Sequence, residues 1–303
     1  MQTLVCGKTK QVKIDTEGVF TIIGEKINPT GRKKLAAALL EGNLGYVLEL
    51  ATNQINAGAD LLDVNVGVPG ADEEKLLPQV VKMLADAFDV PFCLDSPNPK
   101  ALAQALPVTP GKPMVNSVNG KQESLQAILP LVRERGASVI ALTMDEHGIP
   151  KEADGRVKIA GRILEAAAKY GIPAEDVVID PLVLTVGAES EAGAVTLETI
   201  QRVQSEFNVN INVGASNVSF GLPERDTVNA AFLALTIGAG ATCAITDPIK
   251  FTRVIRALDL LRGKDAYAAR YVKYCRAHPL EEKEQTQNKG AADFRRRRRA
   301  IHT

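Results

Sequence analysis

Eight short apolar runs of this 303-residue chain each lead into a side chain that accepts or exchanges hydrogen bonds. In chain order these are Glu25, Asp63 with Asn65, Asp95, Asn116, Asp145, Asp180, Ser216 with Asn217, and Asp247. By sequence no lysine or arginine stands directly at such an end, and His147 is the nearby imidazole. Carboxylates and carboxamides gathered in this way suit two chemistries. Hard oxygen donors hold a divalent cation. They also grip a neutral heterocycle with adjacent N–H donors, because a carboxylate accepts from two neighbouring donors as it does from a guanidinium.

Several of these residues have plainer uses. Asp247 precedes Pro248 and fits an N-cap followed by proline at the first helical position. Asp63 can pair with a neighbouring run or with Lys26, and Asp145 and His147 lie in a polar stretch where they can simply be solvated. Asp95, Asn116 and Asp180 are harder to dismiss, since each terminates a strongly apolar run. A buried polar group without a partner costs about 1–3 kcal/mol. Such groups together imply a ligand that supplies the partners. A pterin ring, with N3–H beside a 2-amino group, has the required edge, and amides can read its mixed remainder.

The elements that must position these residues follow from the hydrophobic pattern. Strands are predicted at Phe20–Gly24, Leu61–Val64, Phe92–Leu94, Met114–Val118, Val139–Thr143, Val177–Ile179, Ile211–Val213 and Thr242–Thr246. Amphipathic helices lie between them. One carries Leu77, Val80, Val81, Leu84 and Phe88; another carries Ile159, Ile163, Leu164 and Ala167 and stops at Gly171 before Pro173. The last opens at Asp247-Pro248 and closes at Gly263. Strands that alternate with helices pair in parallel through right-handed crossovers. Eight such units predict an α/β fold, the (β/α)8 TIM barrel, whose active site is built at the C-terminal ends of its strands. The rival doubly wound sheet lacks its glycine fingerprint after the first strand. Residues 1–18 can form a hairpin closing the barrel bottom, and 19–278 form the barrel. Residues 279–303, with Arg295–Arg299, read as a solvated, disordered tail.

Composition agrees with this plan. Apolar residues make up 45% and aromatics 4%, with no Trp, so the core must be aliphatic, as barrel interiors are. Basic and acidic residues balance at 36 each, so no net field draws the chain to nucleic acid or to a membrane surface. The four cysteines lack C-x-x-C spacing, and Cys93 and Cys243 read as buried, reduced thiols. Without a signal-like N-terminus or a long apolar run, a soluble, cytoplasmic protein is expected.

With these residues in hand, the chain resembles the pterin-binding methyltransferases. These include the methyltetrahydrofolate:corrinoid protein methyltransferases and the folate domain of cobalamin-dependent methionine synthase, with dihydropteroate synthase a cousin. The resemblance is carried by IIGEKINPTGR (22–32), LLDVNVG (61–67), CLDSPN (93–98), MVNSVNG (114–120), ALTMDEHGIPK (141–151), VVIDPLVL (177–184) and GASNVSFGLP (214–223). It implies a dihydropteroate synthase-like barrel in which Asp95, Asn116 and Asp180 bind the pterin. It implies further that Asn217 hydrogen-bonds near N5 of the folate, that Gly214 and Ser216 shape its loop, and that Asp63 and Asn65 belong to the mouth.

The resemblance also discriminates within the superfamily. Dihydropteroate synthases carry proline-aspartate-serine-phenylalanine elements, an S-T-R-P-G loop and an Arg-Lys pair; here stand Pro29-Thr30-Gly31, VGVPG at 66–70 and Asn217-Val218. Cations suited to a pyrophosphate leaving group are therefore missing from those positions. What is implied instead is methyl transfer between N5 of methyltetrahydrofolate, as substrate, and the cobalt of a corrinoid. Asn217 and Asp95 would be the catalytic residues, with Asn217 hydrogen-bonding N5 as its bond to the methyl group breaks. The corrinoid-binding pattern D-x-H-x-x-G is not met, since His147 is followed by Gly148-Ile149-Pro150. The cobalamin would thus arrive on a separate corrinoid protein. A homodimer is implied by the resemblance alone, and a resident metal is not expected.

Overall fold

The computed structural model describes residues 1–279; the polar segment ending in Arg295–Arg299 lies outside the described residues, apart from Pro279. Eight parallel strands run through it: β3 (Thr21–Ile27), β4 (Leu61–Val64), β5 (Phe92–Asp95), β6 (Met114–Asn119), β7 (Ser138–Leu142), β8 (Val177–Asp180), β9 (Asn212–Gly214) and β10 (Cys243–Thr246). They are ordered β8-β7-β6-β5-β4-β3-β10-β9. A parallel bridge between Ile179 and Ile211 joins the two ends and closes the barrel. Helices stand outside: α1 (Lys33–Leu40), α2 (Gly45–Asn56), α3 (Glu73–Ala87), α4 (Pro99–Ala105), α5 (Gln122–Arg135), α6 (Ala153–Lys169), α7 (Ala192–Phe207), α8 (Arg225–Ala239) and α9 (Pro248–Leu261). Gly171 and Gly263, just past α6 and α9, adopt the left-handed conformation that stops a helix at little cost.

Several observed strands reach further than their apolar runs, while β4 keeps the expected bounds and β7 stops at Leu142. β3 continues to Ile27, β6 to Asn119, and β5 and β8 end on Asp95 and Asp180. A parallel ladder is made by backbone groups, so it continues through a polar residue whose side chain is accommodated. The chain also forms a helix beyond Gly263, α10 (Ala269–Ala277), which the hydrophobic pattern does not announce. It has no buried residue and rests on α9.

The barrel interior is layered. Alternation sends every second strand residue to the same face. Ile23, Leu61, Cys93, Met114, Ile140, Val178 and Cys243 form one apolar inward layer. Below it lies an antiparallel hairpin, β1 (Gln2–Cys6) with β2 (Gln11–Asp15), whose Val5 and Ile14 are fully buried against that layer. Asn210 hooks the hairpin from inside, its Nδ2 donating to Thr3 Oγ1 and to the Ile14 carbonyl, both at 2.9 Å. The hairpin also pairs with the chain entering β6, through Cys6 and Lys112. Next to that contact a Cβ on Gly111 would lie 2.1 Å from the Gly7 carbonyl, so only glycine fits there. Among the described residues no helix is long and apolar enough to cross a membrane.

Candidate active site

Two residues further along each strand, the inward face changes character. Above Ile23, Leu61, Cys93, Met114 and Val178 stand Glu25, Asp63, Asp95, Asn116 and Asp180. Above Ile140 and Cys243 stand Leu142 and Ile245, which pack onto the apolar layer. The mouth is therefore an arc of acids and an amide interrupted by two aliphatic residues.

On the β4–β6 side, the side chains hold one another. Asn116 Nδ2 donates to Asp63 Oδ1 at 3.2 Å, and Asn65 Nδ2 donates to Asp95 Oδ2 at 3.0 Å. The Asn65 amide is itself oriented, because its Oδ1 accepts the Gly67 N–H at 2.8 Å. Burial first, and then the neighbouring Asp95 charge, push the Asp63 carboxyl well above the usual carboxylate range. Asp95 is raised as well, chiefly by burial, with the Asn65 hydrogen bond opposing. Asp63, at 2% exposure, is the more deeply buried and has the longer hydrogen bond, so its charge is the more strongly disfavoured of the two. Asp95 and Asn116 also line a cavity of about 430 Å3 that continues past Ser117 and Leu142 towards α5.

Across the barrel, Asp180 is held differently. Its Oδ1 accepts the Leu182 N–H at 2.8 Å, and its Oδ2 accepts Asn212 Nδ2 at 2.6 Å. Leu182 has φ of 59°, a strained conformation for a leucine. Arg156 of α6, 1% exposed, pins this turn by donating to the Pro181 and Leu182 carbonyls at 3.0 and 2.9 Å. Burial raises the Asp180 carboxyl to about 6, against the lowering pull of Leu182 N–H, Asn212 and the Arg156 charge.

The β9 loop completes the rim. Ser216 Oγ donates to Glu25 Oε2 at 2.7 Å, linking β9 to β3. Asn217 is exposed, and its Nδ2 lies so near Gly214 that a Cβ there would come within 3.0 Å. Arg225 ties the loop down by donating to the Ser216 carbonyl at 2.7 Å and to Ser219 Oγ at 3.0 Å.

Some expectations need correction. Lys26, within β3, does place a cation at the mouth, but Asp247 neutralises it through an ion pair. Asp63 bonds to Asn116 instead of Lys26. Asp247 also accepts the Ile249 N–H at 3.1 Å, so it is both cap and counter-ion. Asp145 lies three residues beyond the inward Leu142 and pairs with Arg162 of α6 at 3.2 Å, apart from the arc. Two residues of the Asp180 setting, Asn212 and Arg156, were not anticipated. The alternation Asn210-Ile211-Asn212 is the signal that points to two inward amides; Arg156 looks like any helix-surface arginine in sequence. Among the described residues no group of three or more His, Cys, Asp or Glu is placed to hold a metal.

Comparison with known proteins bears on this site. The sequence profile of the family described as "Pterin binding enzyme" matches residues 24–247. A methylcorrinoid:tetrahydrofolate methyltransferase from Eubacterium limosum is 30% identical over 260 residues, covering 83% of this chain and 94% of that one. Methionine synthase of Mycobacterium tuberculosis is 31% identical over 242 residues, which span 76% of this chain but 20% of that protein. Among solved structures, Yersinia pestis dihydropteroate synthase with a pterin–sulfa conjugate superposes with a TM-score of 0.68 at 17% identity, covering 87% of this chain and 99% of that one. The Xanthomonas albilineans enzyme with 7,8-dihydropteroate gives 0.65 at 20% identity, covering 86% and 98%. At such identities these structures speak for the shared barrel alone.

Proposed function

This chain belongs to the pterin-binding enzyme family, and from that premise we propose that it is a methyltransferase. It would move the N5-methyl group between methyltetrahydrofolate and the cobalt of a corrinoid carried by a separate protein. The observation that carries this reading is the second inward layer, where acids and an amide from five strands surround aliphatic Leu142 and Ile245. A flat heterocycle with N–H donors on its edge and apolar faces fits such an arc. In this reading Asp180 accepts two adjacent ring donors, while Asn116 and Asp95 meet the mixed edge. Asp63 and Asn65 orient those two, and Gly214 and Ser216 hold Asn217 at the rim.

The chemistry assigns Asn217 its role. When a cobalt(I) nucleophile takes the methyl carbon, the electron pair of the broken C–N bond stays on N5. A hydrogen bond to N5 that strengthens as this charge develops lowers the barrier; one equally strong in the ground state does not. Asn217 supplies an N–H donor without being a proton donor in the Brønsted sense; the proton that N5 takes up comes from solvent, through a water molecule that the Asp95 carboxylate orients as acceptor. Dihydropteroate synthesis fits less well, because it needs cations for a departing pyrophosphate. At this mouth Lys26 is paired with Asp247, Arg32 approaches Glu25 at 3.7 Å, and Arg225 is committed to its own loop.

The direct test mixes cob(I)alamin, methyltetrahydrofolate and the protein and follows the visible spectrum of the corrinoid. Protein-dependent formation of methylcobalamin is expected. Folate binding with methylation at the background rate would instead identify a pterin-binding subunit without this activity. Asn217→Ala should slow turnover by about 100-fold while changing folate affinity by less than about threefold. Equal losses in both would remove Asn217 from the transition state.

A further inference from the structure

Asn212 stands in the barrel interior with no exposed surface, between the apolar layer and the mouth. A leucine would fill such a position without the desolvation that a buried amide suffers. Its amide has a partner at both ends: Nδ2 donates to Asp180 Oδ2 at 2.6 Å, and Oδ1 shares the Cys243 thiol with the Ile211 carbonyl, each at 3.7 Å. The carboxylate, which only accepts, selects the amide orientation that turns Nδ2 towards it. Asp180 Oδ1 is occupied from another direction, by the Leu182 N–H. Each carboxylate oxygen thus has one protein donor and retains a second acceptor site.

We propose that Asn212 is the positioning residue for Asp180, keeping it ionised and turned so that its remaining acceptor sites take two adjacent N–H donors of the bound ring. This rests on the pterin reading above but assigns a residue and a task that the family resemblance does not. The Leu182 N–H holds the other oxygen, and among the described residues the remaining groups around Asp180 do not donate to its carboxylate. Arg156 of α6 donates to carbonyls of the turn. Thr143, just after β7, directs both its N–H and its hydroxyl to the Asp180 carbonyl oxygen, not to the carboxylate. Cys243 of β10 is a buried thiol raised by burial and by the Asp180 charge itself, so it stays protonated and keeps its donor.

The test compares wild type with Asn212→Leu, which keeps the branched outline without polar atoms, and Asn212→Ser, whose hydroxyl keeps a donor. The Asp180 carboxyl is followed by carbon-13 NMR in the ligand-free protein, its signal assigned by loss in Asp180→Asn. Tetrahydrofolate binding is measured by calorimetry over the same pH range. Losing a hydrogen bond to a charged group should move the Asp180 midpoint up by about one to two pH units in Asn212→Leu, and by less in Asn212→Ser. Affinity at neutral pH should fall by up to about tenfold and return at alkaline pH. A midpoint that stays in place, or an affinity loss equal at every pH, overturns the assignment. Should Asn212→Leu fail to fold, Asn212→Ser decides by the same criterion. Wild-type protein that binds no tetrahydrofolate while the midpoint still moves would uphold the positioning role and overturn the pterin reading.

Discussion

On the β4–β6 side of the mouth, Asp63 and Asp95 meet amides and one another, and the charges that act on them, Glu25 and Glu73, are acidic. On the β8–β9 side, Asp180 meets a backbone N–H, an oriented amide and the field of a buried arginine. Both sides bury carboxylates, yet burial resolves differently. Two adjacent buried acids relieve their repulsion when one keeps a proton. A lone acid with donors on both oxygens comes much closer to full ionisation at neutral pH. The first arrangement yields a site that can donate as well as accept; the second yields a pure acceptor. A ring whose edge mixes donors and acceptors needs both.

The largest expected effect falls on the pure acceptor. Asp180→Asn replaces one acceptor oxygen by an amino group and removes the charge, so tetrahydrofolate affinity should drop by about 100-fold in a calorimetric titration. A loss below about fivefold would mean that the two sides do not differ as described. Next comes pH. The Asp180 carboxyl, raised to about 6, is ionised above that value and takes up a proton below it. Folate affinity should therefore be level above neutrality and fall by about tenfold per pH unit below 6. Affinity that rises on acidification would reverse the sign and discard Asp180 as acceptor. The smallest effect is expected at Asp63, whose charge burial already disfavours. Asp63→Asn keeps an acceptor for Asn116 and a donor for Asp95, so binding should change by no more than about threefold. A loss as large as that of Asp180→Asn would show that Asp63 acts as a charge.

Much of the fold is legible in the sequence because its cause is local. Eight apolar runs with helical periods between them leave few topologies, and the aliphatic composition fits a barrel core. The acids at the run ends are legible too, since a polar residue closing an apolar strand stands out. What local pattern cannot convey is pairing. Lys26 looks available for Asp63, two segments away, yet the closed barrel seats it against Asp247, more than two hundred residues on. Arg156 is indistinguishable in sequence from the solvated cations of α6 until the turn after β8 folds over it.

The chain's own order of residues thus determines the strands, the helices and the inward period of two that places acids above aliphatics. Barrel closure decides everything that depends on neighbours: which acid keeps its proton, which amide faces which carboxylate, and which cation is spent on a counter-ion. The physical reason is range. Strand and helix preferences are set within a few residues, whereas desolvation and charge coupling are set by whatever the closed barrel brings within a few ångströms.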